Sequence, residues 1–153
     1  MHAPFVRQAL LTDLDALVPL FDAYRRFYGQ PSDAAAARLF LHERFNHGES
    51  VLFIAHDSSI PVGFTQLYPC FSSVSLSRTF ILNDLFVLAS HRRKGVAAAL
   101  LRAATDYARA LGAVRVSLNT DIKNTVAQQT YEAEGWERDH EFYAYHFKPG
   151  APK

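Results

Sequence analysis

The sequence predicts an α+β fold, a mixed central sheet with helices on both faces. Two observations predict it. Apolar residues recur at helical spacing in some segments and form short, β-branched runs in others. These segments follow one another in the order β-α-α-β-β-β-α-β-α-β, which suits a mixed sheet covered by helices.

Each element carries its own signals. Residues 4–9 form a short strand. Thr12 caps a helix, with Asp13 in its first turn. Leu14, Leu17, Val18, Phe21, Tyr24 and Tyr28 follow at helical spacing, and Gly29-Gln30-Pro31 stops the run. Ser32 or Asp33 caps a second helix from Ala34 to about Asn46, ended by Gly48. Val51 to His56 is a strand, and Asp57-Ser58-Ser59-Ile60-Pro61 is a turn. Val62 to Cys70 and Arg78 to Leu88 are the next strands, joined by Phe71 to Ser77. In the long helix that follows, Val96, Leu100, Leu101, Ala104, Tyr107, Ala108 and Leu111 share an apolar face, and Gly112 suits the residue after its end. Ala113 to Asn119 is a strand, Asn124 caps a short helix ending at Gly135, and Trp136 to Phe147 is the last strand.

The 153 residues favour one domain, 1–148, followed by a short tail, 149–153. Composition is ordinary for a globular chain, 49% apolar and 20% charged. A net charge of +1, without a Lys/Arg stripe, argues against nucleic acid as the main partner. No run of about 18 apolar residues occurs, so no membrane partner is expected. The first residues lack the basic-then-apolar pattern of a signal peptide. Cys70 is the single cysteine, so neither an internal disulfide nor a thiolate zinc site is expected. A reducing compartment, the cytoplasm, is the expected location.

The chemistry concentrates after the strand that ends near Leu88. Arg92-Arg93-Lys94-Gly95-Val96-Ala97 opens the long helix. Small residues let backbone N–H groups approach an anion, and the helix start adds unpaired donors and a partial positive charge. Three basic side chains add full charges. Such a loop suits a pyrophosphate. The spacing is neither that of a P-loop nor that of a dinucleotide fingerprint.

On these residues the chain resembles the GNAT superfamily of N-acetyltransferases. The family signature [Q/R]-x-x-G-x-[G/A] is matched by Arg92 through Ala97, and the strand ending before it by Leu85-Phe86-Val87. A second family pattern is matched by Asn124, Tyr131, Glu132 and Gly135-Trp136. Within the superfamily, Asn83 to Val87 and the segment from Tyr131 to Tyr143 look nearest to polyamine- and histone-type amine acetyltransferases.

The resemblance implies a mostly antiparallel sheet and acetyl-CoA as co-substrate, without a metal. The cofactor would lie in a V-shaped opening between the fourth and fifth strands, splayed by a bulge in the fourth. The backbone of Leu85, Phe86 and Val87 would pair with the pantetheine arm, and the Leu85 N–H would polarise the thioester carbonyl. Arg92, Arg93, Lys94, Gly95, Val96, Ala97 and Ala98 would wrap the pyrophosphate, and Asn124 would contact the cofactor. Tyr131 aligns with the general acid that protonates the leaving thiolate. The acceptor would be a primary amine: a polyamine, an amino acid or a protein lysine. An ammonium of pKa about 10.4 must first lose a proton, for which Asp84 is a candidate base. Asn83 stands where polyamine enzymes carry an acid, and could orient a water. Tyr28 would line the acceptor pocket. Homodimers are common among such proteins, often through the C-terminal strand. The competing reading is a non-catalytic acyl-CoA-binding sensor or interaction domain.

Other features point elsewhere or nowhere. The seven histidines are scattered, without metal-ligand spacing. Ser90-His91 lacks a nucleophile elbow. Cys70 is expected to pack as a small hydrophobe.

Overall fold

The computed structural model describes residues 3–150. Strand β1 (Phe5–Gln8) leads through a 3-10 turn (Leu11–Asp13) into helices α1 (Leu14–Phe27) and α2 (Ala34–His47). Strands β2 (Val51–Asp57), β3 (Ile60–Ser72) and β4 (Ser77–Val87) follow. A second 3-10 turn (Ala89–His91) precedes α3 (Val96–Ala110), β5 (Arg115–Ser117) and α4 (Thr125–Ala133). The sheet order is β1-β2-β3-β4-β5. All neighbours are antiparallel except β4 and β5, so the mixed, mostly antiparallel expectation holds.

Two apolar layers sandwich the sheet. Leu17, Leu20 and Phe21 of α1 and Ala37 and Leu41 of α2 pack on Ile54, Phe64 and Phe86. On the other side Val96, Leu100, Leu101 and Ala104 of α3 pack on Ala55, Leu67, Phe80 and Leu82. Gly63 lets β3 lie close to β4: a Cβ there would meet the Phe86 carbonyl oxygen at 2.8 Å.

The caps divide into predicted and corrected ones. Asp33 accepts from the Ala36 N–H, and Gly48 takes the left-handed conformation after α2. Thr12 does not cap α1. It lies within the 3-10 turn and the helix begins one residue later, at Leu14, while Asp13 accepts from the Leu10 N–H and pairs with Arg7 at 2.7 Å. Cys70 is exposed, not packed, because β3 has run past the core by that point.

The C-terminal half departs furthest. The strand expected over Ala113 to Asn119 shortens to Arg115–Ser117. The last strand, expected over Trp136 to Phe147, is not formed. Trp136 is half-buried and its N–H donates to the Tyr131 carbonyl, but residues 137–148 make no backbone–backbone hydrogen bond. A strand exists only where a neighbour completes its ladder, and this segment lies against none. The expected tail falls partly on residues 151–153, outside the described residues.

Candidate active site

The β4–β5 pairing spans only Thr79 to Ile81. Beyond it β4 runs on to Val87 with no strand on that side, which leaves a V-shaped opening. The register of β3 against β4 slips between Gln66 and Leu67: Gln66 faces Asp84, Leu67 faces Leu82, and Asn83 bulges out. The bulge turns the strand just where the opening begins.

Backbone alternation then decides what faces the opening. The Leu88 N–H donates to the Val62 carbonyl, and the Asp84 carbonyl accepts from Thr65 Oγ1. The backbones of Asp84 and Leu88 are therefore turned toward β3. Strand alternation turns the N–H of Leu85 and the carbonyl of Val87 the other way, into the opening. Phe86 keeps its side chain in the core under α1.

The basic loop closes one end. Arg93 and Gly95 have positive φ, 61° and 81°. Their turn leaves the N–H groups of Arg93, Lys94, Gly95, Val96, Ala97 and Ala98 without an acceptor among the described residues, since the first bond of α3 is Ala99 N–H to the Gly95 carbonyl. Nothing lies within 4 Å of the position a Gly95 Cβ would take, so a ligand can approach. This run of free donors, backed by three exposed cations, fits the pyrophosphate of a CoA. His91 fixes the loop's approach: its ring bonds Asp57 of β2 at 3.0 Å and Ser90 at 2.8 Å. Arg92 lies over the Phe27 and Phe86 rings, and its Nε donates to the Val87 carbonyl.

Tyr131 of α4 is half-buried and packs beside Trp136. Burial raises its pKa, the nearby Tyr28 adds to this, and the Thr120 hydroxyl opposes it. It is thus a protonated phenol at neutral pH. Asn124 spends its side-chain oxygen on the Ala127 N–H as the cap of α4.

Asp84 is almost wholly buried. Burial pushes its pKa up, against hydrogen bonds from Gln66, Asn83 and Tyr24. Gln66 Nε2 and Asn83 Nδ2 donate to its two oxygens. Tyr24 also donates to the Asn83 carbonyl at 3.3 Å, so α1 is tied to the bulge. Tyr68 lies close enough to Asp84 for burial and that carboxylate to push its pKa up to about 12. The structure therefore gathers Asn83, Asp84, Tyr24 and Tyr28 on the α1 side of the bulge. Gln66 and Tyr68 went unnoticed in the sequence. Their signal was a Gln and a Tyr at i and i+2, on one face of a largely apolar strand. Among the described residues no cluster of metal-ligating side chains occurs.

A splayed β4–β5 edge, a bulge and an anion-binding helix start together define an acyl-CoA-dependent transferase class. Comparison with known proteins agrees. The model of the Acetyltransferase (GNAT) family matches residues 17–136. YhfO of Bacillus subtilis, described as an uncharacterized N-acetyltransferase, is 48% identical over 92% of this chain and 94% of its own length. The crystal structure of a probable acetyltransferase superposes with TM-score 0.92 at 43% identity, covering 97% of this chain and 99% of that one. An aminoglycoside N-acetyltransferase, AAC(6')-Iy in complex with CoA, superposes with TM-score 0.76 at 25% identity, covering 95% of each chain. The chain belongs to the GNAT family and is an N-acetyltransferase. Membership supports acetyl-CoA as its co-substrate. Among the described residues no helix is long and apolar enough to cross a membrane.

Proposed function

We propose that the protein moves the acetyl group of acetyl-CoA onto a primary amine by direct attack, without an acyl-enzyme. The observation that carries this reading is the Leu85 N–H aimed into the β4–β5 opening, with the protonated Tyr131 phenol on the neighbouring α4. Held in a thioester's path, that N–H stabilises the charge developing on the carbonyl oxygen. Arg92 to Ala98 hold the pyrophosphate, and the backbone of Leu85 to Val87 aligns the pantetheine arm. As the C–S bond breaks, Tyr131 gives its proton to the departing sulfur.

The amine enters from the α1 side. Tyr28 lines its approach. Asp84, directly or through a water oriented by Asn83, takes the proton that the ammonium must lose. Its raised pKa suits a base better than an ordinary aspartate. A buried carboxylate among phenols favours a cationic acceptor. Polyamines, amino acids and protein lysines all qualify, as do the aminoglycosides named for AAC(6')-Iy. We also propose a cytoplasmic location and a homodimeric working form.

The test is release of free CoA thiol from acetyl-CoA with a panel of these amines. Amine-dependent release supports the reading. CoA binding with no release on any amine would leave a sensor in its place.

A further inference from the structure

Gln66 lies on β3, the central strand of the sheet, and its side chain is 0% exposed. Burying an amide costs free energy unless both of its ends are hydrogen-bonded. Only one end is. Nε2 donates to Asp84 Oδ2, and Oε1 has no hydrogen-bond partner among the described residues. An apolar side chain of the same length would fill this place without leaving an acceptor bare. A bare acceptor in the centre of a sheet calls for a physical reason.

Its partner supplies one. Gln66 faces Asp84 across the β3–β4 pairing, immediately before the register slips. The Thr65 hydroxyl pins the Asp84 carbonyl there at 2.8 Å. No cation is among the groups that act on the buried carboxyl, so neutral donors hold it. Asn83 Nδ2 donates to Oδ1 at 2.9 Å, but Asn83 is exposed and water can take its place. Gln66 is sealed in the core, and no solvent molecule can replace its bond. The ionisable groups facing Asp84 are Tyr24 of α1 and Tyr68 of β3. Tyr28 of α1 lies beside Tyr24, and Arg44 of α2 lies near Tyr68.

On the reading above, Asp84 takes the proton of the acceptor ammonium. The N–H bond breaks, its electron pair stays on nitrogen, and an O–H bond forms on the carboxyl. A proton on Oδ2 would then meet the Gln66 amide donor against donor. The two ends of an amide are nearly alike in shape, and its last torsion has a broad, twofold profile. A half-turn brings the bare Oε1 to the new O–H. We propose that Gln66 is the positioning residue of Asp84: its amide holds the carboxyl in one orientation in both proton states, donating to the carboxylate and, turned over, accepting from the acid. Donation to a charged oxygen is the stronger of these two bonds. Gln66 therefore favours the ionised form and keeps a buried aspartate able to accept a proton.

NMR titration of the isotope-labelled Asp84 carboxyl in the full chain tests this without acetyl-CoA or an amine. In wild type the Gln66 side-chain N–H2 resonances should shift with the same midpoint as the carboxyl, because the amide turns as the proton arrives. Gln66→Met keeps the length of the side chain and removes both ends of the amide. Its Asp84 midpoint should lie about one pH unit or more above that of wild type. Gln66→Glu sets a second carboxyl against the first, and the pair should titrate in two steps, the upper one above the wild-type midpoint. If Gln66→Met does not fold, Gln66→Glu decides. An Asp84 midpoint unchanged in a folded variant, or Gln66 N–H2 signals that ignore the titration, would overturn the proposal. Failure of the acetyl-transfer reading looks different. The carboxyl midpoint would rise in Gln66→Met while the acidic limb of kcat/KM stayed in place, which removes Asp84 as the base and leaves its pairing with Gln66 standing.

Discussion

The Nε of Arg92 donates to the Val87 carbonyl at 3.1 Å. This bond holds the first residue of the signature loop against the end of β4. The same guanidinium covers the Phe27 and Phe86 rings, so it links the strand proposed to align the thioester to the loop proposed to hold the pyrophosphate. Arg92→Ala should weaken CoA binding by about tenfold, the worth of one charge-assisted hydrogen bond. Calorimetric titration with CoA measures this, and an unchanged affinity removes Arg92 from the site.

Tyr131→Phe keeps the ring against Trp136 and deletes only the hydroxyl. Turnover should fall by about 10²-fold or more, the usual worth of a positioned acid. Affinity for acetyl-CoA should stay nearly constant, because the proposed role of the phenol is on the departing sulfur alone. Equal turnover in the two proteins would exclude Tyr131 as the acid.

Asp84 gives a pH prediction with a definite sign. Folding raises its pKa, chiefly through burial. Over a window above the ordinary aspartate value of about 3.9, the folded chain keeps a proton that the unfolded chain has lost. Stability therefore falls as pH rises through that window, then levels. Asp84→Asn should lack this fall in thermal denaturation. The acidic limb of the wild-type kcat/KM profile should lie above the normal aspartate range. Persistence of that limb in Asp84→Asn would assign the proton to another group.

Gly63→Ala tests the close approach of β3 to β4. The added methyl meets backbone, the Phe86 carbonyl, and cannot be relieved by a rotamer change. Destabilisation of about 1–3 kcal/mol is expected, read from the urea midpoint. A variant as stable as wild type would mean that the two strands separate freely at this point.

Much of this was legible from local signals. Asp33 and Asn124 cap the starts of their helices, and Gly48 and Gly112 follow the ends of theirs, as their residue types predict, because capping involves neighbours a few residues away. The loop from Arg92 to Ala97 was legible for the same reason. What failed was non-local. Trp136 to Phe147 has a strand's composition, but a ladder needs a partner, and none lies beside it among the described residues. Cys70 reads as apolar in sequence and is exposed because β3 outruns the helices. Asp22 is buried and accepts from the Ser32 hydroxyl and the Asp33 N–H, fixing the α1–α2 connection through partners ten and eleven residues away. The cluster around Asp84 draws on α1, β3 and β4, over a span in which no spacing rule could join Tyr24, Gln66 and Asn83.

Hydrogen exchange with and without saturating CoA bears most directly on the central claim that the β4–β5 opening and the loop after it hold the cofactor. The amides of Leu85 and of Arg93 to Ala98 have no acceptor among the described residues, so a bound CoA should slow their exchange by about tenfold or more. Protection confined to other segments, with these amides unchanged, would contradict the site.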